Sequence, residues 1–151
     1  MVSEGVAAPD FELVSQDGNK VRLSSFRGKN VVLFFYPKDG SPGCTRENCL
    51  LRDSIQDFEK FDAVAIGISR DSVESHRRFA EKHRLTHLLL SDPSGEVVKA
   101  YNAAGLFGLT KRITYVIDRE GRIRKIISSL NPSTHVAEAL KALSGLEKHG
   151  K

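Results

Sequence analysis

Two rhythms alternate along the chain. Residues 11 to 14 and 20 to 23 form short strands around Gln16-Asp17-Gly18-Asn19, a strong turn signal, and so predict a hairpin. Val31-Val32-Leu33-Phe34-Phe35 is an uninterrupted apolar run, long enough for one buried strand over 30 to 35 and far too short for a membrane span. Helical spacing follows over 43 to 61, where Leu51, Ile55 and Phe58 fall on the same face as Cys44. Ala63 to Ile68 is a second buried strand, and Asp71 or Ser72 caps a helix running to about His83. Thr86 to Leu90 is a further strand, and Ser91-Asp92-Pro93 starts a short helix over Gly95 to Tyr101. After a glycine-containing loop over 102 to 110, Arg112 to Ile117 and Ile123 to Ser128 pair as a hairpin that turns at Asp118-Arg119-Glu120-Gly121. A last helix after Asn131-Pro132-Ser133 carries Val136, Leu140 and Leu143 on one face. Strand, helix, strand, helix through the middle of the chain implies parallel pairing with right-handed crossovers.

Composition narrows the setting. The 151 residues, 40% of them hydrophobic, suit one domain over 1–151 with an ordinary core, without repeats or low-complexity segments. Met1 to Ala8 lack a basic start followed by an apolar run, and nothing approaches transmembrane length, so the expectation is a cytoplasmic protein without a membrane partner. The formal charge of +4 comes from basic residues interleaved with acidic ones, as in Arg77-Arg78 near Glu74 and Glu81; a solvated mixed surface is the better reading than a nucleic-acid interface. Two cysteines in such a chain point to redox chemistry rather than a disulfide framework.

Both cysteines sit at one strand-to-helix junction, Tyr36-Pro37-Lys38-Asp39-Gly40-Ser41-Pro42-Gly43-Cys44-Thr45-Arg46-Glu47-Asn48-Cys49. Pro37, Gly40, Pro42 and Gly43 make a tight turn, and the helix is predicted to begin near Pro42 or Gly43 because proline is tolerated in a first turn. Cys44 then lies where free backbone N–H groups and the positive end of the helix dipole favour a thiolate over a thiol, and it is the candidate nucleophile. Cys49, five residues on, is rotated by roughly 140° and has Thr45, Arg52, Asp53 and Gln56 as polar neighbours, so it is predicted to face outward. Cα atoms five apart in an intact helix lie roughly 8 to 9 Å from each other. A disulfide needs less than about 7 Å, so Cys44 and Cys49 can bond only if the first turns unwind.

Other readings compete. A buried cysteine is often only a small hydrophobe, though a first-turn position after a Pro/Gly-rich loop speaks against that here. Cys44-x4-Cys49 with His83-x3-His87 meets loose zinc-finger limits, but more than thirty residues separate the pairs and His87 lies in strand-like sequence. A thioredoxin-type dithiol spaces its cysteines by two residues rather than four. His76 and His83, seven apart beside Val73, Phe79 and Ala80, read as boundary positions at the edge of the core.

The Pro37-x3-Ser41-x2-Cys44 pattern resembles the active-site motif of the peroxiredoxins, and Ser-Pro-Gly-Cys-Thr followed by Cys49 is similar to their bacterioferritin comigratory protein (BCP/PrxQ) subfamily. Ala8-Pro9-Asp10-Phe11-Glu12-Leu13, Leu23 to Lys29, Gly67-Ile68-Ser69, Leu90-Ser91-Asp92 and Arg112 to Asp118 are similar to segments of that family in the same order. The resemblance implies an α/β thioredoxin-like fold, a core with an N-terminal hairpin and an inserted strand and helix between its halves, which is also what the predicted element order describes. It implies that Cys44 is the peroxidatic cysteine, Cys49 the resolving one, Pro37 a lid over the thiolate and Arg112 the active-site arginine. Read alone, Arg112 is a surface charge opening a strand whose other face carries Ile113, Tyr115 and Ile117. Ser41 stands where the family usually has threonine; it keeps the hydroxyl that can bond thiolate and peroxide but loses a methyl group that holds the rotamer.

The activity so implied is reduction of hydrogen peroxide and organic hydroperoxides through a Cys44 sulfenic acid, an internal disulfide with Cys49, and recycling by a thioredoxin-like dithiol donor supplied from NADPH through a separate reductase. It requires no metal or bound cofactor, and the subfamily resemblance implies a monomer. Three alternatives stay open: a one-cysteine peroxidase with Cys49 a bystander, a thiol-disulfide oxidoreductase, and a redox sensor acting through Cys44.

Overall fold

The computed structural model describes residues 2–149, with side chains as far as Glu147. Seven strands form one mixed sheet: β1 (Glu12–Ser15), β2 (Lys20–Arg22), β3 (Asn30–Phe35), β4 (Ala63–Ser69), β5 (Leu88–Ser91), β6 (Ile113–Ile117) and β7 (Ile123–Ser128), in the order β2-β1-β5-β4-β3-β6-β7. β3, β4 and β5 run parallel, as the strand-helix alternation requires, while the two hairpins add antiparallel pairs at either side. The helices are α1 (Pro42–Asp53), α2 (Ile55–Lys60), α3 (Val73–His83), α4 (Glu96–Ala100) and α5 (Pro132–His149). Among the described residues no helix is long and apolar enough to cross a membrane.

The apolar run at 31–35 is explained by its place in the sheet: all six residues of β3 are buried because both faces of that strand are covered. Val31, Leu33 and Phe35 join Ile113, Tyr115 and Ile117 in a layer with Phe11 and Tyr101. Val32 and Phe34 face the opposite way, onto Leu51, Phe58, Val116, Val136, Ala139 and Leu143. Aromatic edges fix the first layer, with Phe35 meeting Tyr115 at 87° and Tyr101 meeting Tyr115 at 67°.

Several element ends depart from the sequence reading. The helix expected over 43 to 61 is two helices that break at Ser54, where the backbone leaves helical geometry (φ −105°, ψ 5°) and Ser54 N–H reaches back only to Leu51 O. The break also divides the supposed common face: Leu51 and Phe58 pack with α5, whereas Cys44 packs with Tyr36, Phe79, Ala80, Leu85 and Leu89. Ser72, not Asp71, caps α3, its hydroxyl accepting from Ser75 N–H, and Arg84 ends that helix in the left-handed region (φ 54°). β5 begins at Leu88 rather than Thr86, which leaves His87 at its entrance. His76 is not a boundary residue but fully buried.

Candidate active site

Cys44 stands in the first turn of α1, after the N-cap Ser41 and with Pro42 in the opening position, and it is fully buried. The chain reaches this point because β3 ends at Phe35, the sheet continues only through Tyr36 N–H to Ile68 O, and the turn then lifts over the C-terminal end of the parallel strands. The sulfur meets one charged group. Arg112, immediately before β6, points its Nη2 at Cys44 Sγ at 3.3 Å and its Nη1 at Glu47 Oε1 at 2.7 Å. A single guanidinium thus binds the sulfur and a carboxylate three residues further along the same helix face.

Glu47 was not singled out by the sequence reading. It is fully buried, its second oxygen has no partner, and burial pushes its carboxyl up to about 7 against the pull of Arg112. Arg112 in turn keeps its proton more firmly: burial opposes the charge, but Glu47 and Cys44 outweigh it. The spacing from Cys44 was the available signal, since i,i+3 places a side chain beside that cysteine. Gly43 completes the arrangement. A Cβ there would lie 2.9 Å from Arg112 Nη2 and 3.9 Å from Pro132 Cγ, so the bare backbone of this residue leaves the space the guanidinium occupies.

The other residues singled out are arranged differently. The Ser41 hydroxyl donates to Lys38 O at 2.9 Å rather than to the sulfur, and so braces the turn. Pro37 is half-buried within that turn. Cys49 is a free thiol, half-buried on the intact α1 rather than fully outward, and Cys44 is likewise free. His83 lies edge-on to Phe79, and His87 bonds Asn48, so neither joins a cysteine.

The turn is anchored from below by a buried polar network. Tyr36 OH donates to Asp39 Oδ1 at 2.6 Å, Ser75 Oγ donates to Asp39 Oδ2 at 2.9 Å, and His76 Nδ1 lies 2.6 Å from the same oxygen. Because Leu90 O can only accept, His76 Nε2 donates to it at 3.0 Å. Asp71 Oδ2 receives Asp39 N–H and the Ser69 hydroxyl. Burial, with Asp39 beside it, raises the Tyr36 hydroxyl well above the ordinary phenol range. Asp39, Asp71 and His76 are the one group of three metal-type ligands among the described residues, with ligand atoms within 4.8 Å of one another, but these atoms already hold one another and the neighbouring hydroxyls. Beside the turn a groove of about 630 Å³ is lined by Pro42, Thr45, Phe79, Lys82 and His83; neither Cys44 nor Arg112 opens into it.

Comparison with known proteins bears on this geometry. The sequence pattern of the AhpC/TSA family matches residues 5–126. Peroxiredoxin Bcp of Bacillus subtilis is 44% identical, the match covering 95% of this chain and 96% of that protein. The chloroplastic peroxiredoxin Q of rice (Oryza sativa subsp. japonica) is 46% identical over 96% of this chain and 68% of its own length. Among solved structures, peroxidoxin BcpB of Mycobacterium tuberculosis superimposes with a TM-score of 0.90 at 39% identity, covering 97% of this chain and 99% of that one. The bacterioferritin comigratory protein of Xanthomonas campestris, described for its alkyl peroxide reduction activity, reaches 0.89 at 28% identity, covering 99% and 100%.

Proposed function

Because this chain belongs to the AhpC/TSA family, and within it to the Bcp and peroxiredoxin Q thiol peroxidases, we propose that Cys44 is its peroxidatic cysteine and Cys49 its resolving one. The observation that carries the assignment is the 3.3 Å contact of Arg112 Nη2 with Cys44 Sγ in the first turn of α1. A fixed cation stabilises the thiolate and faces the oxygen on which charge develops as the O–O bond breaks. The sulfur attacks one peroxide oxygen, the other leaves as water or alcohol after taking up a proton, and Cys44 becomes a sulfenic acid. Cys49 thiol then displaces that hydroxyl as a second water, and the internal disulfide is reduced by exchange with a dithiol donor of the thioredoxin type. The cycle as written needs no metal or bound cofactor, and we read the protein as a cytoplasmic monomer acting on hydrogen peroxide and organic hydroperoxides.

One observation favours the one-cysteine alternative. Both cysteines lie on one intact helix at a spacing that holds their Cα atoms roughly 8 to 9 Å apart, so the internal disulfide demands unwinding of α1. The assignment of Cys44 is tested by following donor oxidation by hydrogen peroxide. Cys44→Ser is expected to abolish turnover, whereas turnover retained in that variant contradicts the assignment.

A further inference from the structure

Between the two cysteines, α1 carries a residue whose side chain reaches backwards. Asn48 Nδ2 donates to the carbonyl of Cys44 at 2.9 Å, and Asn48 Oδ1 lies 2.8 Å from His87 Nε2. Both partners are buried, as is Asn48 itself. An amide oxygen only accepts, so Nε2 carries the hydrogen and Nδ1 is the bare lone pair, which agrees with its lack of any partner. The histidine is held in turn: Gln16 Nε2 donates to His87 O at 2.9 Å, and Gln16 Oε1 receives Leu89 N–H at 2.8 Å. Room for the amide comes from Gly67 on β4, where a Cβ would lie 3.4 Å from Asn48 Oδ1 and only 2.9 Å from Leu89 Cδ2. A continuous buried chain of polar contacts therefore runs from the β1 turn through the entrance of β5 to the peptide of the reactive cysteine.

We propose that Asn48 and His87 are positioning residues that clamp the first turns of α1, and that this clamp sets how readily Cys44 leaves its pocket for Cys49. The inference rests on the resolving role of Cys49 for its consequence, though not for the clamp itself. Unwinding frees the Cys44 carbonyl and pulls Asn48 away, which strands a buried imidazole N–H, so the helical form is favoured by more than its own backbone bonds. The Cys44 sulfenic acid then has two fates, the first open only once α1 unwinds. It condenses with Cys49 thiol, forming the S–S bond and releasing water, or it meets a second peroxide, which oxidises it to sulfinic acid and is itself reduced to water or alcohol. A tight clamp delays the first path and leaves time for the second.

The test uses the reduced full-length protein with Asn48→Ala, His87→Phe and the double variant. Amide hydrogen exchange at Asn48 and Cys49 is expected to quicken about tenfold in each single variant, the yield of one buried hydrogen bond, with β3 and β4 amides unchanged. The double variant, which leaves neither polar group stranded, is expected to fall short of the product of the two single effects. In parallel, the peroxide concentration that converts half of Cys44 to sulfinic acid, read as a gain of about 32 daltons by intact mass, rises in the single variants. Exchange in α1 at the wild-type rate in both single variants overturns the proposal. Faster exchange in a protein whose wild type closes no Cys44–Cys49 disulfide upholds the clamp and removes only the resolving role of Cys49.

Discussion

At the scale of the residue, the site depends on one guanidinium reaching across 68 positions of sequence to a buried sulfur. The first-turn position of Cys44 was legible because its neighbours in the chain create it: a Pro/Gly turn and a helix start lie within the same few residues. Arg112 was legible only by resemblance, since alone it is one cation among 23 and its partner lies on another element. Glu47 was missed for the same reason. Its burial is produced by chain that folds over it, not by its neighbours in sequence. Gly43 gives this scale its sharpest prediction. Alanine favours the helix by propensity, but its Cβ, placed 2.9 Å from Arg112 Nη2, displaces the guanidinium from the sulfur. Gly43→Ala is therefore expected to keep or raise the thermal midpoint while lowering the second-order rate with hydrogen peroxide about tenfold or more, the order of loss seen when a charge-assisted contact is weakened. Stopped-flow oxidation and a melting curve on the same sample check both halves.

At the scale of the element, α1 is where sequence and structure diverge most usefully. The apolar spacing from Cys44 to Phe58 continues through Ser54, so periodicity alone joins two helices that the backbone separates. The clamp was likewise out of reach, because a lone asparagine on the Cys44 face of α1 and a histidine at the entrance of a strand carry no local sign of pairing across 39 residues. Burial, and to a lesser degree the Arg52 cation, holds the His87 imidazole down at about 4, against 6.5 for an exposed histidine. The charged groups around it are Arg52 from α1 and Lys29, Glu59 and Asp62, which line the same recess. The folded chain therefore takes up the His87 proton later than the unfolded chain as pH falls. The stability that neutral His87 contributes is complete above 6.5 and is lost as pH drops from there towards 4. Between pH 7 and pH 5 wild type is expected to lose about 2 kcal/mol that His87→Phe retains, measured by urea unfolding at each pH. Equal pH slopes in the two proteins contradict this reading of the histidine.

At the scale of the whole molecule, both hairpins and the parallel pairing of the middle strands followed from the rhythm of apolar positions, whereas the order that sets β1 beside β5 did not. β3 places the site: buried on both faces, paired parallel to β4 and antiparallel to β6, it fixes the junction that carries Cys44 and the strand before which Arg112 stands. This is why a local motif and a distant arginine meet. What the sheet does not fix is the state of α1, which must be wound for Arg112 to hold the sulfur and unwound for Cys49 to reach it. We propose that both states belong to one reaction cycle. It is tested most directly by intact mass and free-thiol count after one equivalent of hydrogen peroxide, on wild type and on Cys49→Ser. A single such cycle gives a loss of about two daltons with no free thiol in wild type, and a gain of about sixteen daltons, a persistent sulfenic acid, in the variant. Two free thiols remaining in wild type after minutes at stoichiometric peroxide would contradict it.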